Sequence, residues 1–88
     1  MKNEVSGMTY SEVIAKRILS LCEEQQITIS KLADLAGMSK SIIYDIVHNR
    51  TKIPRMKTLC FIARGFGVTI SEFLDFPEMN NTKPDDFN

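Results

Sequence analysis

The positively charged side chains of this 88-residue sequence are concentrated in the middle of the chain. Residues 31–64 have a net charge of +5, whereas residues 1–30 sum to −1 and residues 65–88 to −4, so the formal net charge of zero conceals the distribution. Such a concentration of cations attracts phosphate groups; a solvated basic face with no partner is the alternative. The basic residues of the segment are Lys31, Lys40, Arg50, Lys52, Arg55, Lys57 and Arg64.

Residue types that catalyse reactions or bind metals are few and scattered. The chain has one histidine, His48, and two cysteines, Cys22 and Cys60, each of which lies within a helical pattern of apolar residues. A nucleophile with its base, or a zinc site, requires several such groups that converge. We therefore expect no enzyme, no cofactor and no metal. Both cysteines are interpreted as buried apolar side chains in a reducing cytoplasm, and His48 as a loop residue near phosphate.

Two short helices joined by a tight turn account for residues 28–50. Thr28 and Ser39 are candidate N-caps, because each hydroxyl can accept from a free amide of the first helical turn. Gly37 suits the end of the first helix, where a positive φ is favoured. Such a helix-turn-helix places its second helix in the major groove of DNA. The apolar positions at helical spacing are Leu32, Ala33, Leu35 and Ala36, then Ile43, Ile46 and Val47.

Three further helices are predicted around this unit, which makes a compact all-α domain of five helices. The sequences Thr9–Glu12 and Thr69–Glu72 fit capping boxes, so a helix is expected to begin at each. Pro54 suits the start of another helix, which runs from about residue 55 to 65. The apolar positions predicted to face the core are Tyr10, Ile14, Ile18, Leu21 and Cys22 in the first helix and Met56, Leu59, Ile62, Ala63 and Phe66 in the fourth.

The expected domain organisation is a flexible N-terminus over residues 1–8, a helix-turn-helix domain over residues 9–75 and a disordered acidic tail over residues 76–88. No apolar run approaches the roughly 20 residues that a membrane helix needs. The first residues also lack the apolar core of an export signal. We therefore expect a cytoplasmic protein with no membrane partner.

Cap, core and turn positions agree in register with a known family over about residues 9–75. The matching residues are Arg17-Ile18, Leu21, Ile27-Thr28, Leu32-Ala33, Ala36-Gly37-Met38-Ser39, Ile43, Ile46, Asn49, Pro54, Thr58-Leu59, Ile62-Ala63 and Val68 through Phe73. The sequence thereby resembles the lambda-repressor/Cro-like helix-turn-helix domains, often called the XRE family. The resemblance implies a lambda-repressor-like fold and a sequence-specific DNA-binding transcriptional regulator, expected to be a repressor. Its expected partners are double-stranded DNA and a second copy of itself, at least on DNA.

The resemblance also implies roles for individual side chains around the second helix of the motif, which starts near Ser39. Four residues are expected to read bases: Lys40, Ser41, Tyr44 and Asp45. Lysine can donate to guanine O6 or N7, and aspartate can accept from cytosine N4. Phosphate contacts, which set affinity rather than sequence choice, are expected from Thr28, Ser39, Asn49, Arg50, Lys52 and Arg55. A merely solvated helix face is the alternative to base reading.

Several positions depart from the family pattern. Ile29 stands where the family commonly has a glutamine that binds phosphate, and Asn49 stands where glycine is frequent, although asparagine tolerates a positive φ. Leu19, Ile42 and Phe61 stand where relatives usually carry polar residues, so they are expected to form either a contact surface or, for Leu19 and Phe61, edge-of-core packing. These departures favour an alternative function: an antitoxin or anti-repressor-type protein-interaction module with weak or accessory DNA binding.

Overall fold

The computed structural model describes residues 8–50 and 54–80, and this part of the chain forms six helices. Their bounds are α1 (Tyr10–Gln25), α2 (Ile29–Ala36), α3 (Lys40–Val47), α4 (Met56–Phe66), α5 (Ile70–Leu74) and α6 (Pro77–Asn80). The predicted all-α fold is confirmed, and α2 and α3 are the predicted helix-turn-helix. The sequence predicts five of the six helices and misses α6. None of the described helices is long and apolar enough to span a membrane.

Local hydrogen bonds start α1 and α5 at the predicted residues. The Thr9 hydroxyl accepts from the Glu12 amide at 3.3 Å, and the Glu12 carboxylate accepts from the Thr9 amide at 2.9 Å. Thr69 and Glu72 repeat this capping box at 3.1 and 2.9 Å. Amides that have no partner within the first helical turn are thus satisfied by neighbouring side chains. Both predicted capping boxes are confirmed.

The turn between α2 and α3 is short because backbone geometry and capping meet there. Gly37 ends α2 with a φ of 70°, which glycine adopts without steric cost. Ser39 then caps α3, and its hydroxyl accepts from the Ile42 amide at 3.4 Å. Asn49 has a φ of 58° just after α3, as the sequence predicts. These residues determine where the outward face of α3 begins and ends.

The core lies where α2 packs against α3 and α4, and where α1 packs against α3. Gly65 in α4 allows α2 to approach closely, because a Cβ atom at this position would lie 3.0 Å from the Ala36 Cβ and 3.1 Å from the Ala36 amide nitrogen. The largest side chains that are less than 2% exposed are Phe73, Ile18, Leu32, Ile43, Ile62 and Val13. Ile43 thus anchors the inner face of α3 in the centre of the fold.

Three residues predicted to lie in the core are exposed instead. Tyr10 is 36%, Leu35 50% and Met56 58% exposed, and Cys60 is only partly buried. Tyr10 and Met56 are the first residues of α1 and α4. Helical periodicity identifies an apolar face, but it does not show how far the neighbouring helices extend along that face. The prediction of burial is therefore wrong at the ends and edges of the apolar faces.

The C-terminal part of the described chain is held to α1 by Arg17. The Arg17 Nε donates to the Phe73 carbonyl at 2.7 Å, and its Nη2 donates to the Glu72 carbonyl at 2.9 Å. The same guanidinium lies 4.8 Å from the centroid of the Phe76 ring, and α6 packs against α1. The sequence predicts disorder from residue 76, whereas Pro77–Asn80 are helical. Residues 1–7 and 81–88 lie outside the described residues, so their disorder stays a prediction.

Candidate nucleic-acid interface

The four residues predicted to read bases share the outward face of α3. Lys40, Ser41 and Tyr44 are exposed, and Asp45 is partly buried. They occupy positions i, i+1, i+4 and i+5, which lie within less than half of a helical turn when viewed down the axis. Ile43, which is fully buried, holds the opposite side of the helix in the core. The helix therefore presents an ammonium, a hydroxyl, a phenol and a carboxylate side by side.

The N-terminal end of this face lies at the junction of α2 and α3. The Ser39 hydroxyl lies 3.1 Å from the Ser41 hydroxyl, and both side chains are exposed. A hydroxyl both donates and accepts, so this pair can exchange its mutual hydrogen bond for contacts with a base or a phosphate. Lys40 lines a cavity of about 250 Å³ between the two helices, together with Ser30 and Asp34. The predicted cap residue and two predicted base readers are thus brought together.

The C-terminal end of the face joins a predicted base reader to a predicted phosphate ligand. The Arg50 Nη1 atom lies 3.8 Å from the Asp45 Oδ1 atom, and the two side chains are 69% and 45% exposed. The Arg50 amide also donates to the Asp45 carbonyl at 2.7 Å. An exposed ion pair of this length contributes little to stability, but it reduces the repulsion between the carboxylate and a nearby phosphate. This pairing makes an acidic residue compatible with a DNA-binding face.

His48 belongs to the same face, and this is a feature that the sequence analysis misses. Its ring stacks with the Tyr44 ring, with centroids 5.8 Å apart and planes inclined by 27°. Its Nδ1 atom lies 2.8 Å from the Tyr44 carbonyl oxygen. The signal that would have revealed this contact is the i, i+4 spacing of the two residues in α3, because side chains four residues apart are neighbours on a helix.

The residues predicted to bind phosphate are distributed around both ends of the helix-turn-helix. Thr28 caps α2, and its hydroxyl accepts from the Lys31 amide at 3.0 Å. Asn49 and Arg50 follow α3, and Arg55 occupies the N-cap position of α4 without a side-chain cap hydrogen bond. All four side chains are exposed. Lys52 lies outside the described residues, so its predicted role has no structural context.

The apolar residues that depart from the family pattern have different environments. Ile29 packs against the core, which explains why an apolar residue is accommodated at the start of α2. Leu19 in α1 and Ile42 in α3 are 46% and 44% exposed. Phe61 in α4 is partly buried, and the Arg64 guanidinium lies 5.8 Å from its ring centroid. Three different helices therefore carry the residues of the predicted contact surface.

The cysteines differ in their surroundings. Cys22 belongs to the buried core, and burial raises the pKa of its thiol because desolvation disfavours the thiolate. A neutral thiol is a poor nucleophile and a poor metal ligand. Among the residues that the structure describes, no group of three or more histidine, cysteine or acidic side chains is placed to hold a metal ion.

Comparison with known proteins identifies the family of this arrangement. The profile of the Cro/C1-type HTH DNA-binding domain matches residues 17–78, which include all of α2 to α5. The chain belongs to this family. It is therefore a DNA-binding regulator of the XRE-like helix-turn-helix class, and the resemblance stated from the sequence is confirmed.

Three solved structures are similar to this Cro/C1-type domain. The prophage Lp1 protein 11 superposes with a TM-score of 0.73 at 29% identity, over 83% of this chain and 96% of that one. An HTH_3 family transcriptional regulator from Vibrio cholerae has a TM-score of 0.68 at 26% identity, with 74% of this chain but only 36% of that one covered. SinR, the master regulator for biofilm formation, solved in complex with DNA, has a TM-score of 0.63 at 29% identity, over 70% of this chain and 98% of that one. No sequence among the curated proteins matches the chain.

Proposed function

We propose that this Cro/C1-type domain is a sequence-specific transcriptional repressor that inserts α3 into the major groove of double-stranded DNA. The observation that carries the proposal is the division of α3 into two faces: Ile43 and Ile46 are buried, while Lys40, Ser41 and Tyr44 point away from the core and are exposed. A rigid, inward-anchored helix is what a base-reading surface requires. Membership of a DNA-binding family and the structural likeness to SinR, which was solved with DNA, support this function.

The side chains of α3 supply complementary hydrogen-bonding groups for base edges. Lys40 donates to guanine O6 or N7, and Asp45 accepts from cytosine N4. The Ser41 hydroxyl serves either kind of partner, and the Tyr44 ring packs on a thymine methyl group. Direct contacts of this kind distinguish one base pair from another, whereas contacts with the sugar-phosphate backbone do not.

Phosphate binding comes from the two ends of the motif. Residues 31–64 carry a net charge of +5, and Arg50 and Arg55 are exposed just after α3 and at the start of α4. Thr28 and Ser39 stand at the N-termini of α2 and α3, where backbone amides and the helix dipole favour a phosphate oxygen. Asn49, and Lys52 from outside the described residues, complete this proposed set. The role is non-enzymatic and lies in the cytoplasm, where bacterial-type operators are accessible.

A homodimer on DNA is part of the proposal. One recognition helix contacts only a few base pairs, so a single domain discriminates poorly among competing sites. Two copies whose recognition helices lie about 34 Å apart read two half-sites on one side of the duplex. An operator with two-fold symmetry is the expected consequence.

In vitro selection from a random DNA pool tests this function directly. We expect a palindromic consensus whose half-sites are separated by about one helical turn. Binding to that consensus should then be compared with binding to a scrambled duplex over a range of salt concentrations. Equal affinity for the two duplexes at every salt concentration would contradict a sequence-specific regulator.

A second candidate function is a protein-interaction module of the antitoxin or anti-repressor type, with accessory DNA binding. It is favoured by the exposure of the apolar residues Leu19 and Ile42 and by the packing of Ile29 into the core at a position where the family commonly binds phosphate. Affinity capture from a DNA-free lysate discriminates between the two functions. A stoichiometric protein partner that is lost on Leu19→Ser or Ile42→Ser, together with no retention of DNA by the unmodified protein, would favour the second.

A further inference from the structure

The side chain of His48 is held by the fold against Tyr44. His48 is the C-cap residue of α3, and both its backbone amide and its Nδ1 atom lie within hydrogen-bond distance of the Tyr44 carbonyl oxygen, at 3.0 and 2.8 Å. A carbonyl oxygen has two lone pairs, so it can accept both hydrogen bonds. The imidazole is thereby fixed at two points, its own backbone and the carbonyl one turn earlier.

This contact also selects one form of the ring. A carbonyl oxygen can only accept, so the hydrogen bond requires the proton of the neutral imidazole to be on Nδ1. Nε2 is then the acceptor atom of the ring. The orientation of the imidazole plane follows from the same hydrogen bond, because Nδ1–H must point at the Tyr44 carbonyl.

The oriented imidazole lies against the Tyr44 ring. The centroid separation of 5.8 Å and the interplanar angle of 27° are within the range of favourable offset stacking. Tyr44 is 39% exposed and lies on the outward face of α3, where an isolated ring would be free to change rotamer. The stack restricts this freedom before any ligand binds, and a preorganised side chain loses less conformational entropy on binding.

We propose that His48 is a positioning residue for Tyr44, so that discrimination at the base pair contacted by Tyr44 depends on the stack between the two rings. The inference rests on the proposed function, in which Tyr44 reads a base. His48 acts through Tyr44 and need not itself contact DNA.

Four variants of the full-length chain separate this role from a direct phosphate contact. Tyr44→Ala identifies the base pair that Tyr44 reads, by comparing affinities for the selected consensus and for its single-base-pair variants. His48→Ala removes both the ring and the hydrogen bond, whereas His48→Phe retains an aromatic ring for stacking. The double variant Tyr44→Ala/His48→Ala measures the coupling between the two positions. Circular dichroism and urea unfolding verify that each variant is folded.

We expect His48→Ala to reduce discrimination about 2- to 10-fold at the same base pair as Tyr44→Ala and at no other, since the stack is a single aromatic pair. His48→Phe should restore most of this discrimination, and the double variant should behave like Tyr44→Ala alone. Affinity for a scrambled duplex should remain unchanged in His48→Ala.

Other outcomes overturn the inference in distinguishable ways. If Tyr44→Ala alters one base preference but His48→Ala weakens the consensus and the scrambled duplex equally, His48 binds phosphate and does not position Tyr44. If the effects of Tyr44→Ala and His48→Ala on discrimination are additive, the stack has no role. If Tyr44→Ala leaves every base preference unchanged, the base-reading role of Tyr44 in the proposed function fails, and the inference fails with it.

Discussion

Two arginines of this chain illustrate how the fold separates structural from ligand-binding side chains. Arg17 donates to two backbone carbonyls at 2.7 and 2.9 Å, and its guanidinium lies over the Phe76 ring. Arg50 has only a 3.8 Å contact with an exposed carboxylate, and its side chain is 69% exposed. The first guanidinium is used by the protein itself, whereas the second can exchange its partner for phosphate. Residue type alone does not distinguish these roles, but the identity of the partner does.

The same contrast exists between adjacent residues of α3, where it predicts the largest effect. Ile43 is fully buried and Tyr44 is 39% exposed. We expect Ile43→Ala to lower the free energy of unfolding by about 2–5 kcal/mol, because it removes buried apolar atoms and leaves a cavity. Tyr44→Ala should change stability by no more than about 0.5 kcal/mol, as is usual for surface positions. Urea unfolding measures both, and similar losses would mean that Tyr44 is part of the core.

Arg17 should come next in magnitude. Arg17→Ala removes two charge-assisted hydrogen bonds and leaves the Glu72 and Phe73 carbonyls without these donors. We expect a loss of about 1.5–3 kcal/mol in the free energy of unfolding, the usual contribution of hydrogen bonds to a charged group. Base preferences in a selection experiment should not change.

Arg17→Lys is the matched control for this prediction. It retains the charge but not the planar fork that donates to both carbonyls, so it should recover only part of the lost stability. Full recovery would show that charge, and not geometry, is what Arg17 contributes. Altered base preferences in either variant would remove the distinction between the two arginines.

The features that sequence predicts well here are local. The caps at Thr9, Thr28, Ser39 and Thr69 depend on residues two or three positions away, and each is found where it is predicted. The contacts of Arg17 join residues that are 55 and 56 positions apart, so no local pattern reveals them. For the same reason the chain after α5 is predicted to be disordered, although Pro77–Asn80 form a helix that packs against α1.

The candidate interface shows the same limit. Helical spacing predicts that Lys40, Ser41, Tyr44 and Asp45 share a face, and this follows from the 3.6-residue period alone. The stack of Tyr44 with His48 depends on side-chain rotamers and on the geometry with which α3 ends. Those are properties of packing, which composition and periodicity do not contain. Apolar residues at the edges, such as Leu35 and Met56, are mispredicted for the same reason.

The arginine comparison can be sharpened by DNA binding, where Lys40 and Arg50 should differ in kind. Lys40→Ala should lower affinity for the selected consensus by about 1–3 kcal/mol, the usual contribution of a direct base contact, with less effect on a scrambled duplex. Arg50→Ala should weaken both duplexes similarly and reduce the slope of log affinity against log salt by about 1, as loss of one phosphate contact does. Fluorescence anisotropy at several salt concentrations measures both quantities. Equal behaviour of the two variants would contradict the division into base-reading and phosphate-binding residues.

Asp45→Asn should have the smallest effect on stability and yet be informative about the interface. The ion pair that it removes is 3.8 Å long and largely exposed, so the free energy of unfolding should change by no more than about 0.5 kcal/mol. Removing a negative charge beside the phosphates should raise affinity for a scrambled duplex by a few-fold, and release of Arg50 from its partner adds to this gain. At the base pair that Asp45 reads, preference should shift from cytosine toward adenine, because an amide side chain pairs with adenine N6 and N7. A gain in non-specific affinity without any shift in base preference would mean that Asp45 modulates the charge of the face and does not read a base.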